Sequence, residues 1–144
     1  MSTYVPLISS GTAGPLGVLH LPRLWQKLSL EATGKLAAGY PGCGKGYDAM
    51  TLGALGVDEA AIKAFVKSSK PTYPQFEAWV KQNGKSVTAD AIAKHNAAVT
   101  GYIHDDETRK SILSANGLPD GSPKDAVNLN NLDDWYEFHQ AVLK

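Results

Sequence analysis

The sequence predicts an all-α domain, and three observations carry that prediction. Apolar residues recur at three- and four-residue spacings in one window after another, as they do on one face of a helix. Most of these windows open on a capping residue or a proline and close near a glycine, an asparagine or a proline. Runs of alternating polarity are short, and alanine-rich helical windows dominate, so strand signals are weak throughout. At 144 residues the chain reads as one domain spanning residues 1–144. A chain of that size buries about two-thirds of the surface it exposes when unfolded. The expectation is six or seven short helices with an extended N-terminal arm over residues 1–20.

That arm contains three glycines, two prolines and no helical period. Its Val5, Leu7, Ile8, Leu16, Val18 and Leu19 are too apolar for a free tail, so it should pack on the helical body. The first helix should start near Pro22, where a missing N–H costs nothing. Leu21, Leu24, Trp25 and Leu28 share its buried face, and Gly34 is its stop. Asp48 is expected to cap the second helix, with Met50, Leu52 and Leu55 behind it and Gly56 ending it. Asp58 caps a third, which buries Ile62, Phe65 and Val66 and breaks at Pro71. Thr72 caps a fourth, which buries Phe76, Trp79 and Val80 and stops at Asn83-Gly84. Thr88 caps a fifth through Ile92, Asn96 and Val99. Asp105 starts a sixth, with Ile112 and Leu113 inward and Asn116-Gly117 at its end. Residues 118–130, with Pro119, Gly121 and Pro123, read as a long loop. A last helix from Leu132 to Leu143 carries Leu132, Trp135, Phe138 and Val142, with Trp135 and Phe138 most simply core. Pieces this short hold together only through shared packing.

Composition excludes several function classes. Net charge is zero with His neutral, and the Lys and Arg residues form no basic stripe, which disfavours nucleic acid as a partner. Cys43 is the single cysteine, so no intramolecular disulfide forms. No apolar run is long enough to span a membrane. The N-terminal stretch lacks a basic region and is interrupted by Pro6 and Pro15, unlike a signal peptide. A soluble cytoplasmic protein is the expectation.

One segment invites a sharper reading. From Gly39 the chain runs G-Y-P-G-C-G-K-G, matching seven of the eight positions of the phosphate-binding pattern G-x-x-x-x-G-K-[ST]. A working phosphate loop needs a buried strand before it, and "EATGKLAA" is not one. Gly46 stands where a magnesium-ligating hydroxyl should be, and no later apolar strand ends in Asp. Nucleotide hydrolysis is therefore not expected. Two readings of the loop remain: a flexible helix-to-helix connector, or a backbone-rich cradle beside Cys43 and Asp48. In the second, a thiol near a helix N-terminus and Lys45 gains nucleophilicity.

Other candidates sit near loops. His20 precedes the first helix, with Arg23 three residues on and Lys27 a turn beyond. A cation pair there could hold an anion while His20 moves a proton. Asn96 lies on the predicted apolar face of its helix, where an amide lines a polar pocket or bonds a neighbouring loop. His104, Asp105 and Asp106 match no standard zinc spacing, and the acids are better explained by helix capping, so no metal is expected. Tyr136 and His139 share a face of the last helix. Gly-x-Ser-x-Gly is absent, and no serine stands out.

The segments "LPRLWQKLSLEATGKL", a glycine-bearing loop with "C....D", "LGALGVDEAAIKAFV", "EAWVKQNG", "IAKHNAAV" and "LDDWYEFHQ" follow one another in a telling order. In that order the chain resembles the DUF5069 family, small bacterial proteins named for having no assigned function. The resemblance runs from residue 17 to about residue 140, and the order of the motifs, not any one of them, carries it. Leu21, Pro22, Arg23, Cys43, Asp48, Trp79, Asn96 and Trp135 stand at its patterned places. The tail departs from the pattern, with Glu137 and His139 in "WYEFHQ" where the family tends to have Asp after the aromatic pair. The resemblance implies an all-helical fold and says little about chemistry.

The functional expectation is a small cofactor-independent enzyme of lyase, isomerase or hydrolase type, acting on a small organic molecule, anionic or aromatic. His20, Cys43 and Asp48 are its candidate catalytic residues. Arg23, Tyr40, Lys45 and Asn96 are its candidate substrate-binding residues. The competing expectation, from a different class, is a non-catalytic module that binds a ligand or pairs as a homodimer. An exposed apolar patch in place of a polar pocket would favour that second class.

Overall fold

The structure is a computed structural model describing residues 2–144. It contains seven α-helices: α1 (Leu21–Ala32), α2 (Tyr47–Leu55), α3 (Glu59–Ser69), α4 (Tyr73–Asn83), α5 (Ala89–Gly101), α6 (Asp106–Ala115) and α7 (Ala126–Phe138). A π-helical turn, His139–Leu143, extends α7. The described residues form no sheet, only isolated bridges between Tyr4 and Leu36 and between Ile103 and Asp125. No helix of the described residues is long and apolar enough to cross a membrane.

Local chemistry sets most of the boundaries. The side chains of Asp58, Thr72, Thr88 and Asp105 each accept a hydrogen bond from the backbone N–H three residues on, as their spacing predicts. Thr72 and Gln75 complete a reciprocal capping box. Pro22 sits in the first turn of α1, and Gly56 closes α2 at φ 66° in the left-handed region that glycine tolerates. α1 is the organising helix. It packs against α3 and α4, while α2 packs on α5, and α7 on α5 and α6. Leu21, Leu24 and Leu28 of α1 meet Leu55, Ile62, Phe76 and Val80 in one apolar core. Val18 of the arm is fully buried in it.

Two elements differ from the sequence reading. Asp48 does not cap α2, because Gly46 holds the cap position and Asp48 lies inside the first turn, buried. An acid at either place looks alike in sequence, since both favour the helix dipole. The last helix starts at Ala126, not Leu132, because Asp125 caps it by accepting from the N–H of Asn128. Its inward face is Ala126, Leu129 and Asp134, so Trp135, Phe138 and Val142 turn outward, 57 %, 37 % and 61 % exposed, and are not core.

Candidate functional site

The arm and α5 together set His20. The Asn96 side chain donates to the Gly17 carbonyl at 2.8 Å and accepts from the Leu19 N–H at 3.0 Å. His95 Nε2 reaches the Leu19 carbonyl at 2.9 Å. The next residue, His20, enters α1 at φ 73°, ψ −21°, a left-handed conformation that a residue with a β-carbon holds only under constraint. Its ring does not cap the helix. It is buried beside Asp48, with Nε2 2.6 Å from Asp48 Oδ1 and Nδ1 2.9 Å from the Ser10 hydroxyl.

Asp48 is the centre of this cluster. Its Oδ2 accepts from Lys27 Nζ at 2.5 Å and from the Gly44 N–H at 2.7 Å. Burial alone would raise its pKa. The His20 hydrogen bond, then Lys27 and the Gly44 amide, outweigh burial and hold the carboxyl at about 2. His20 is pushed the other way: burial lowers it, and Asp48 only partly offsets that. The imidazole is therefore neutral near pH 7. With Asp48 ionised, Nε2 carries the proton and donates to it, leaving Nδ1 to accept from the Ser10 hydroxyl.

A second buried cluster stands beside the first. Arg23 donates to both oxygens of Asp134, at 2.6 and 3.0 Å, and to the arm's carbonyls at Pro6 and Ile8. The Tyr40 hydroxyl donates to Asp134 at 3.0 Å. Arg23 is thus committed to ties within the chain and does not present a free cation.

A cavity of about 620 Å³ opens beside these groups, and Ser10, His20, Arg23, Lys27, Lys45 and Asp48 line it. Tyr47, Tyr102 and His104 also line it and make an aromatic wall that runs on from His20. The ring centroids of His20, Tyr47, Tyr102 and His104 succeed one another at 5.4, 5.6 and 6.0 Å. The first turn of α2 also borders the cavity. Gly46 gives it no side-chain cap, so its leading N–H groups lack the usual partner.

Of the residues singled out from sequence, His20, Arg23, Lys45 and Asp48 line the cavity, whereas Tyr40, Cys43 and Asn96 do not. Cys43 is half-buried, and its thiol is pushed up to about 12 by burial, then by Asp48 and Glu59, so it stays protonated at neutral pH. Asn96 is a tie between α5 and the arm, which is the loop-bonding alternative. Replacing Asn96 with Ala should cost about 1 kcal/mol, since it leaves two part-buried backbone groups without their partner. Urea denaturation would measure it. The glycine loop joins α1 to α2 with no strand before it, and its Gly44 amide serves an internal carboxylate where a phosphate loop would serve a nucleotide. His104 bonds Asn130, Asp105 caps α6, and Asp106 pairs with Arg109.

Ser10 and Asp134 escaped the sequence reading as site residues, and Lys27 entered it only as the partner of Arg23 in a cation pair. Lys27 was the most legible, since His20, Arg23 and Lys27 fall at helical spacing on one stripe of α1. Asp134 shares a face with Ala126 at two helical turns. Ser10, in an arm without period, carries no such signal.

These observations define a class: an all-helical protein with two buried charge clusters along one helix, the first lining an aromatic-walled cavity. Residues 10–135 match the family model described as "Domain of unknown function (DUF5069)". The chain belongs to that family, and the matched stretch includes every side chain of both clusters. No curated protein and no solved structure matches the chain.

Proposed function

We propose that the chain is a small-molecule enzyme of acid–base type, of lyase, isomerase or hydrolase class, with His20 as its base and Asp48 fixing the base's tautomer. One observation carries this reading: a buried imidazole, held by Asp48 on one nitrogen, keeps its other nitrogen beside a hydroxyl on a cavity wall. That is the arrangement a general base requires. Proton transfer there needs no group beyond these side chains. The tyrosine wall suits a small aromatic substrate. Lys45, which makes no ion pair among the described residues, and the uncapped turn of α2 suit an anionic group on it. Arg23 and Tyr40 then act by positioning the arm and α7, and Cys43 takes no part.

A second reading, a homodimer without catalysis, draws on the exposed Trp135, Val142 and Leu143 of the last helix and its π-turn. Convergence of His20, Lys27 and Asp48 on one cavity favours the enzyme.

A thermal-shift screen of small carboxylic acids, phenols and phenyl esters tests the proposal. At least one should raise the melting temperature of the wild type. His20→Asn should cut turnover of a stabilising ester or acid about 10²–10⁴-fold, the usual contribution of a positioned base. Turnover equal to wild type would remove His20 from the mechanism.

A further inference from the structure

We infer that Ser10 is a nucleophile and that the cavity hydrolyses a small carboxylic ester by way of an acyl group on Ser10 Oγ. This deepens the acid–base reading of the same site and rests on it. The serine hydroxyl lies 2.9 Å from His20 Nδ1, and His20 Nε2 lies 2.6 Å from Asp48 Oδ1. Nucleophile, base and orienting carboxylate thus stand in series, each within hydrogen-bond reach of the next. Relative to the familiar serine–histidine–aspartate relay, the two ring nitrogens have exchanged partners. The chemistry is indifferent to that exchange, because it needs one nitrogen held and the other free to take a proton.

The three residues come from three separate places, the arm, the mouth of α1 and the first turn of α2, and all line the one cavity. Ser10 lines the cavity but is only 1 % exposed, so acylation requires the arm to shift enough to admit a carbonyl carbon to Oγ. The uncapped first turn of α2 borders the same cavity, and its amides would supply donors for a developing oxyanion. The aryl portion of the ester would rest on Tyr47 and Tyr102.

The step balances with water as the second reactant. Ser10 Oγ bonds to the carbonyl carbon while its proton passes to His20 Nδ1, and the carbonyl electron pair moves to oxygen. That pair returns as the bond from carbon to the leaving oxygen breaks, and the imidazolium gives its proton to the departing alkoxide or phenoxide. Water then adds to the acyl carbon, losing its proton to Nδ1. The carbon–Oγ bond breaks, Ser10 regains a proton, and the acid leaves.

The test uses the full chain with p-nitrophenyl acetate and, separately, with an alkyl fluorophosphonate. The expected results are a burst of p-nitrophenolate and a stable phosphonyl adduct, mapped to Ser10 by peptide mass spectrometry. Ser10→Ala should keep the circular dichroism of the wild type, lose the adduct and lose about 10²-fold or more of ester turnover, as nucleophile deletions do. Ser10→Cys guards against a folding defect, since it should move acylation onto the new thiol at position 10. Absence of a phosphonyl adduct in the wild type, or an adduct on another residue that persists in Ser10→Ala, would refute the inference. If Ser10→Ala keeps its rate while His20→Asn loses it, the nucleophile is wrong and the base reading survives. If both keep their rates, both readings fall.

Discussion

Replacing Asp48 with Asn should destabilise the protein by about 3–5 kcal/mol, the cost of breaking a buried ion pair by removing one partner. Both Asp48 oxygens face only donors: His20 Nε2 on one side, Lys27 Nζ and the Gly44 N–H on the other. An asparagine offers one acceptor and one donor, so its NH₂ must oppose a donor at one of these places. Lys27, buried in α1, is then left without a counter-charge. If the NH₂ faces His20, the ring changes tautomer, Nδ1 becomes a donor to Ser10, and the base is lost along with the stability. A urea titration read by circular dichroism would measure the first effect, and a wild-type midpoint in the variant would contradict the assignment of Asp48 as the centre of the cluster.

The same carboxylate gives stability a pH dependence of known sign. The folded Asp48 titrates at about 2, below its ordinary 3.8, so its contribution is complete above the ordinary value and disappears as pH falls toward 2. The folded His20 is lowered from the ordinary 6.5, so the unfolded chain takes up that proton first and acidification below 6.5 also favours unfolding. Wild-type stability should therefore decline on acidification in two stages. Asp48→Asn should shrink the lower one, with Asp105 and Asp120, also lowered, leaving a remainder.

Replacing Arg23 with Leu should have an effect of similar size, about 3–5 kcal/mol, because it strands the buried Asp134 carboxylate. Arg23→Lys should recover only part of this, since an ammonium cannot span both carboxylate oxygens or reach two arm carbonyls at once. Removing Asp134 as well, in Arg23→Leu/Asp134→Leu, should restore most of the loss, with the unpaired Pro6 and Ile8 carbonyls limiting recovery. A double variant no more stable than Arg23→Leu alone would show that the pair itself is not the source of the loss.

Helix starts were legible wherever the signal was local. Asp58, Thr72, Thr88 and Asp105 cap because each meets an N–H three residues on, a relation written within four residues. The start of α7 was hidden because Pro119, Gly121 and Pro123, all loop formers, stand just before Asp125. Its inward face was misread because hydrophobicity points to Trp135 and Phe138, whereas the decisive contact, Asp134 to Arg23, joins residues 111 apart. The site shows the same division. His20 and Asp48 stood out through their loops, and Lys27 through its stripe on α1. Ser10 gains meaning only when the arm folds back over α1, and no spacing records that.

The Arg23–Asp134 clamp has a consequence for how the molecule comes apart. Terminal segments ordinarily fray independently and at little cost. Here one guanidinium holds the arm through Pro6 and Ile8 and the last helix through Asp134. α7 cannot peel away without uncovering a charge in α1, and the same guanidinium anchors the arm. The arm and α7 should therefore open as one cooperative unit, with a common free energy of opening in place of two small ones.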